Sequence, residues 1–284
     1  MSLHDTGGTK NNNVYYRHTL AVRIMHWIGV VAFFLLLMSG LQIFNAHPAL
    51  NWGKSSYTGH PPILEMGAKQ TSQGNIIGVT TIFGHEFNTT GIFGWTDGAD
   101  GERTARGFPA WMTLPGTQWL AMARRWHFFF AWVLVIDGAA YLLYTLFSHH
   151  LSRDLTPTRR DWRTIGQSIK NHLLLRHPSG TAARRYNILQ KLAYLSVIFG
   201  LFPLIILMGL AMSPGLDALI PGWVDIVGGR QSARTIHFVV AWALVAFVFI
   251  HVFEVMINGA WNNLRSMITG HYRIAVEESD HDHE

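Results

Sequence analysis

IHFVVAWALVAFVFIHVF, residues 236–253, is apolar throughout except for two histidines, His237 and His251. Their spacing of fourteen residues is about four helical turns less roughly 40°, so both rings leave nearly the same face, about 21 Å apart along the axis. A stretch this long and this apolar belongs in lipid or against protein, not in water. Two further apolar segments carry one histidine each near their starts, His26 and His127.

Four segments, 24–45, 126–147, 192–212 and 236–257, are each long enough to cross about 30 Å of hydrocarbon. Hydrophobic residues make up 49% of the chain and charged residues 14%. We therefore expect one all-α membrane domain over residues 1–284, a bundle of four transmembrane helices. The sequence pI of about 9.6 does not indicate nucleic acid, because the basic residues gather beside the apolar segments, as topology signals do. There is no cysteine. That excludes an iron–sulfur cluster, a thiolate zinc site, covalent c-type haem attachment and any disulfide. The first apolar segment is full length without a cleavage-like end, so no signal peptide is expected.

The connection 148–191 holds Arg153, Arg159, Arg160, Arg163, Lys170, Arg176, Arg184, Arg185 and Lys191. Positive charge of this density marks a cytoplasmic loop. Four spans then place both termini inside, in agreement with Lys10, Arg17, Arg23, Arg265 and Arg273. The connection 46–125 lies outside. At about 80 residues it is long for a loop, and its Trp and Phe content favours a folded cap or docking surface. Asp161–Leu175 interleaves Trp, Ile and Leu with Arg, Lys and Asn, the pattern of a short interfacial amphipathic helix. The tail Glu277–Glu284 is acidic and contains histidines; it reads as a solvated end.

This topology sorts the histidines by depth. His26 begins span one and His251 ends span four, so both lie near the inner face. His127 begins span two and His237 begins span four, so both lie near the outer face. A lone buried histidine is ordinarily a hydrogen-bonded core residue. Two same-depth pairs, with one helix serving both levels, instead form the ligand set for two haems stacked across a bilayer. Neutral imidazole is a good axial ligand, and two per iron leave no open site for oxygen, so the pattern implies an electron carrier.

Arg23, Arg124 and Arg234 each stand three residues before one of these histidines. On a helix that spacing shares a face, and a planar guanidinium suits a haem propionate. The alternative is a snorkelling arginine that marks a span end. Gly40 stands fourteen residues after His26, at the outer level, where its missing side chain would let a macrocycle approach. Gly200 and Gly209 in span three either do the same or pack helices closely.

Arg23-x-x-His26-Trp27, Arg124-Arg-Trp-His127, Tyr186-Asn187-x-x-Gln190-Lys191 and the two-histidine fourth span together resemble the prokaryotic cytochrome b561 superfamily. Within it the chain is similar to membrane cytochrome b subunits of the nickel–iron hydrogenase, formate dehydrogenase and thiosulfate reductase type. The likeness covers the four spans and the basic loop, and covers the outer loop poorly. It implies a subunit with two haem b groups in a bacterial inner membrane. Such a subunit reacts with quinone and is partnered by a catalytic redox subunit on the periplasmic side. It also implies that Asn187, Gln190 and Lys191 line a quinone pocket near the inner haem; helix capping is the plainer role for these residues. The stretch Gly107–Gly116 resembles the branch that accompanies molybdenum oxidoreductases.

Asp137 falls in the middle of span two, where a carboxylate costs several kcal/mol and is by default a functional candidate. Glu254, one turn beyond His251, lies nearer the inner surface and is the better placed of the two to exchange a quinone proton. Three rival readings remain: a self-contained quinone-linked oxidase or superoxide scavenger, a proton-coupled transporter, and a structural anchor. A transporter is opposed by the lack of an inverted repeat, and an anchor leaves the paired histidines unexplained.

Overall fold

Four long apolar helices dominate the structure, a computed structural model that describes residues 14–56, 59–148, 156–174 and 187–273. They are Leu20–Asn45 (α1), Leu120–Phe147 (α2), the run Ile188–Ala211, and Arg230–Ile257 (α8). Each starts before its apolar segment, at residues 20, 120, 188 and 230 where hydropathy gave 24, 126, 192 and 236. Hydropathy marks the length that lipid demands. The helix itself continues through the polar interface until its backbone donors find other partners. The third run is composite: Ile188–Ser196 (α5), a π-helical turn at Val197–Leu201, and Phe202–Ala211 (α6). Pro203 accounts for the irregularity, since it lacks an N–H and its ring clashes with the carbonyl four residues back. Many apolar side chains of these helices point outward; Phe129, Ile136 and Phe249 are 62%, 66% and 78% exposed. A surface so apolar fits a multi-pass membrane protein.

The connection between α1 and α2 departs from the all-α expectation. It carries β2 (Ala49–Leu50), β3 (Leu64–Gln70), β4 (Ile76–Ile82) and β5 (His85–Asn88) in one antiparallel four-stranded sheet. A separate hairpin pairs β6 (Gly94–Asp97) with β7 (Arg103–Arg106). The β-branched run of β4 is a strand signal, but it sits in a chain whose hydropathy is dominated by helices. The two layers touch backbone to backbone. A Cβ on Gly78 would lie 2.3 Å from the Phe93 carbonyl oxygen, and one on Gly94 (φ 80°) would lie 2.4 Å from that of Gly67. Only glycine permits that approach.

The chain packs as two compact units. One comprises Met1–Ile24, Tyr144–Leu195 and Val248–Glu284; the other comprises Met25–Leu143 and Ser196–Phe247. In the first, β1 (Val14–Tyr16) pairs antiparallel with β8 (His271–Arg273), so the segments flanking the outermost helices lie side by side. Arg23 donates to the carbonyl of Ile268 in α9 (Ala260–Thr269), and Arg17 stacks over Tyr272. The expected amphipathic segment forms α3 (Arg159–Arg163) and α4 (Ile165–Leu173). Thr158 and Asp161 close a capping box at the start of α3. Lys10, His149, Arg153, Leu175, Arg176, Arg184, Arg185, Tyr186 and the tail Glu277–Glu284 lie outside the described residues.

The second unit contains the sheet-bearing cap and a core of Leu41, Phe44, Leu50, Met66 and Phe108. Within it, α7 (Pro214–Leu219) leads towards α8. Phe44 meets Phe238 of α8 at 4.8 Å between ring centres, and Phe108 meets Phe44 at 5.6 Å. The Gly107–Gly116 stretch thus enters through Phe108, which is fully buried.

Candidate functional site

His127 of α2 and His237 of α8 face each other, with ring centres 6.2 Å apart and planes inclined by 62°. Each lies two turns inside its helix, so the helix itself fixes the direction of the side chain. The Nδ1 of His237 is 2.9 Å from the Ile205 carbonyl oxygen, and that of His127 is 3.2 Å from the Leu36 carbonyl oxygen. A carbonyl only accepts, so both Nδ1 atoms carry the proton and both Nε2 atoms carry the lone pair. The Ser39 hydroxyl donates to Leu35 at 2.6 Å and turns its own oxygen to His127 Nδ1 at 3.2 Å.

This geometry passes a simple test for a shared metal. Two imidazoles on opposite sides of one ion, at about 2 Å per metal–nitrogen bond, place their ring centres roughly 6 Å apart. Among the described residues no cluster of three or more His, Cys, Asp or Glu is placed to hold a metal. A two-nitrogen donor set suits a macrocycle that fills the remaining positions itself. Gly40 and Gly209 stand behind the rings: a Cβ would lie 3.2 Å from His127 Cε1 and 3.4 Å from His237 Cε1 respectively. The space at Gly40 is thus taken by the His127 ring itself, where the sequence had suggested a macrocycle. Gly200, in the π-helical turn, faces nothing within 4 Å.

The other predicted residues are placed as follows. His26 lies in α1, edge-on to Trp27 at 5.5 Å, and His251 lies in α8, fourteen residues beyond His237. Arg124 stacks over Phe128. Arg234 donates to the His47 carbonyl and lies over Phe44. Asn187 and Gln190 cap the start of α5: the Asn187 side-chain oxygen accepts from Leu189 N at 3.1 Å, and Gln190 Oε1 accepts from Asn187 N at 3.1 Å. Capping uses their carbonyl oxygens and not their NH₂ groups. Lys191 is buried, with its ammonium 2.9 Å from Asp161. Asp137 Oδ2 would lie 3.4 Å from a Cβ on Gly29 of α1. Glu254 accepts from Asn258 through both its carbonyl (2.8 Å) and its carboxylate (3.1 Å).

Four polar residues that sequence reasoning passed over fasten the cap to α1 and α8. Arg106 is almost completely buried, and burial pushes its pKa down. It donates to the carbonyls of Phe108 (2.6 Å) and Gly116 (3.0 Å), to Gln42 Oε1 (3.2 Å) and to Thr113 Oγ1 (2.9 Å). Asn45 binds the Phe108 backbone from both sides, accepting from its N–H at 2.7 Å and donating to its carbonyl at 3.1 Å. The available signal was two amides at the outer end of an apolar span. On the α8 side, Ser232 accepts from Gly53 N at 2.8 Å and Thr235 donates to the Asn51 carbonyl at 2.7 Å.

Residues 17–270 match the prokaryotic cytochrome b561 family. A putative protein-methionine-sulfoxide reductase subunit, YedZ1, of Azospira oryzae (strain ATCC BAA-33 / DSM 13638 / PS) is 27% identical over 263 residues, which span 92% of this chain and 100% of the relative.

Proposed function

The chain belongs to the prokaryotic cytochrome b561 family, membrane electron carriers that bind haem b, and on that premise we propose that it holds two haem b groups and passes electrons between quinone and a catalytic redox subunit. The observation that carries this reading is the His127–His237 pair, whose separation and tautomers suit two axial ligands of one iron. His26 and His251 form the second pair on the depth argument. Haem, when bound, supplies reversible one-electron chemistry. His127 with His237, and His26 with His251, would each hold one haem, and two imidazoles per iron would leave no open position for oxygen. Arg124 and Arg234 sit one turn from the outer ligands and Arg23 one turn from His26, where a guanidinium neutralises a propionate.

Orientation follows the positive-inside rule: basic loop and termini in the cytoplasm, cap outside, in a bacterial inner membrane. The β1–β8 pairing supports termini on one side. The cap is then the face for the partner. The relative's name points to a protein-methionine-sulfoxide reductase as the class of that partner, with electrons flowing from quinol outward. The Gly107–Gly116 likeness points separately to a molybdenum oxidoreductase as the redox partner on that side. Asn187 and Gln190 offer their NH₂ groups to a quinone carbonyl at the inner end of span three. Lys191 Nζ donates to Asp161 and to the Thr156 carbonyl and has a third N–H to offer beside them. The whole chain acts as one cytochrome b domain.

The test is haem content and redox titration of detergent-purified protein and its histidine variants. The parent should contain two extractable protohaems per chain, both low-spin. His127→Ala and His237→Ala should each lose the same single haem, and His26→Ala and His251→Ala the other. A haem-free protein that still folds and carries electrons, or His26→Ala grouping with His237→Ala, overturns the assignment.

A further inference from the structure

The two histidines are held by the same device on two different helices. In α1 the carbonyl of Leu36 receives His127 Nδ1, and the residue four further on, Gly40, is the one whose Cβ would strike that ring. In α6 the carbonyl of Ile205 receives His237 Nδ1, and the residue four further on, Gly209, faces that ring. A helix carbonyl already accepts from the N–H four residues later, and the side chain at that later position lies over it. A glycine there uncovers the carbonyl's second lone pair, so a ring from a neighbouring helix can reach it. The same carbonyl-to-glycine offset occurs in Leu36-Leu-Met-Ser-Gly40 of α1 and Ile205-Ile-Leu-Met-Gly209 of α6, which argues against chance packing of small residues.

We propose that Gly40 and Gly209 are positioning residues: each opens a helix carbonyl to the Nδ1–H of one histidine, and through that bond fixes the tautomer, the ring orientation and the donor strength of the ligand. This rests on the reading of His127 and His237 as ligands of one haem. An imidazole whose Nδ1–H donates to a carbonyl is the more basic at Nε2. A more basic ligand favours the oxidised iron and lowers the reduction potential. Loosening the bond therefore raises the potential. The two positions are not equal. A Cβ on Gly40 meets its ring at 3.2 Å, closer than ordinary contact, whereas one on Gly209 meets its ring at 3.4 Å. His127 also has Ser39 as a second acceptor.

The experiment is potentiometric titration and low-spin electron paramagnetic resonance of the purified holoprotein, parent beside Gly40→Ala, Gly209→Ala, Ser39→Ala and Gly138→Ala. Gly138, in α2, has nothing within 4 Å of a Cβ and reports the effect of alanine alone. Gly40→Ala should move the potential of one haem upward by up to tenfold in its reduction equilibrium, about 59 mV for a one-electron couple. Its resonance positions should change with it. Gly209→Ala and Ser39→Ala should shift the same haem in the same direction by less, and Gly138→Ala should shift neither. Loss of that one haem from both Gly40→Ala and Gly209→Ala, with Gly138→Ala intact, is the same result in stronger form. If Gly40→Ala alone loses haem, the Gly209→Ala potential decides. Unchanged potentials and spectra, a downward shift, or equal movement of both haems overturns the proposal. If His127→Ala and His237→Ala leave both haems bound, the ligand reading itself fails. If they remove one haem while the glycine variants are silent, this inference alone falls.

Discussion

The connection between α1 and α2 and the one between α2 and α5 are both long, polar in part and free of membrane-length apolar runs, yet they are held in opposite ways. The first folds as two β-layers and is fastened by a fully buried guanidinium with four neutral acceptors, backed by Asn45, Ser232 and Thr235. In the second, the described part is two short helices, started by the Thr158–Asp161 capping box and tied to α5 by the Asp161–Lys191 pair. One is built like a domain core and the other like a surface strap. The difference matches their proposed sides. A cap that meets a partner needs one fixed shape, while a basic segment lying at a lipid surface needs mainly its charge and its amphipathic face.

Removing Arg106 should break the first connection most. Arg106→Met keeps the volume but removes four donated bonds: Thr113 Oγ1 and the half-buried Gly116 carbonyl lose their donor, and Gln42 Oε1 and the Phe108 carbonyl keep only Asn45. Unmet buried acceptors together cost about 3 kcal/mol or more. Thermal melting in detergent should fall sharply, and proteolysis within 46–119 should quicken before any cut in α8. Unchanged melting would mean that the guanidinium is not the fastener.

Asp161→Asn should have the next largest effect, and a local one. The backbone N–H of Thr158, aided by Lys191, holds the Asp161 carboxyl below its usual range. A depressed carboxylate contributes stability that is full above its unfolded value, about pH 4, and is lost as pH falls through the lower folded value. The variant should therefore lose about 1 kcal/mol near neutrality, between the exposed and buried limits for ion pairs. It should also melt with less acid sensitivity than the parent. Equal acid sensitivity in both would show that Asp161 does not carry it.

The smallest effect is expected at His47, beside the cap. Burial and the nearby Arg234 charge, opposed by Glu65, lower its pKa from the ordinary value. The unfolded chain then binds the proton more readily, so stability falls as pH drops below about 6.5 and towards the folded value. Because the ring is largely exposed, solvent screening keeps this well under ~1 kcal/mol. His47→Gln should flatten the dependence of melting on pH between neutral and mildly acid buffers. A slope equal to the parent's assigns it to another group.

The four spans were legible because an apolar run of membrane length has few other meanings. The amphipathic segment was legible as well, from its interleaving of apolar and basic residues. The cap's strands were not, since short β-runs with Gly and Thr turns carry weak local signals beside four strong helices. The role of Arg106 was hidden for a different reason: its four acceptors are scattered from Gln42 to Gly116, and no local pattern announces such a meeting. Asn187 and Gln190 stood as quinone residues by resemblance, and the structure shows their carbonyl oxygens engaged in capping α5.

By itself the sequence determined that the chain is helical and membrane-spanning, that its histidines repeat at a helical spacing, and that no cysteine chemistry is open to it. These properties are set by residue type and by period along one chain, and a helix in lipid must satisfy its own backbone. Tertiary structure alone decided which nitrogen of His127 and His237 carries the proton, that Gly40 and Gly209 admit those rings, and that Arg106 locks the cap. The first two depend on a carbonyl or a missing Cβ supplied by a different helix, and the third on acceptors scattered from Gln42 to Gly116; such meetings are decided by packing rather than by the order of residues along the chain.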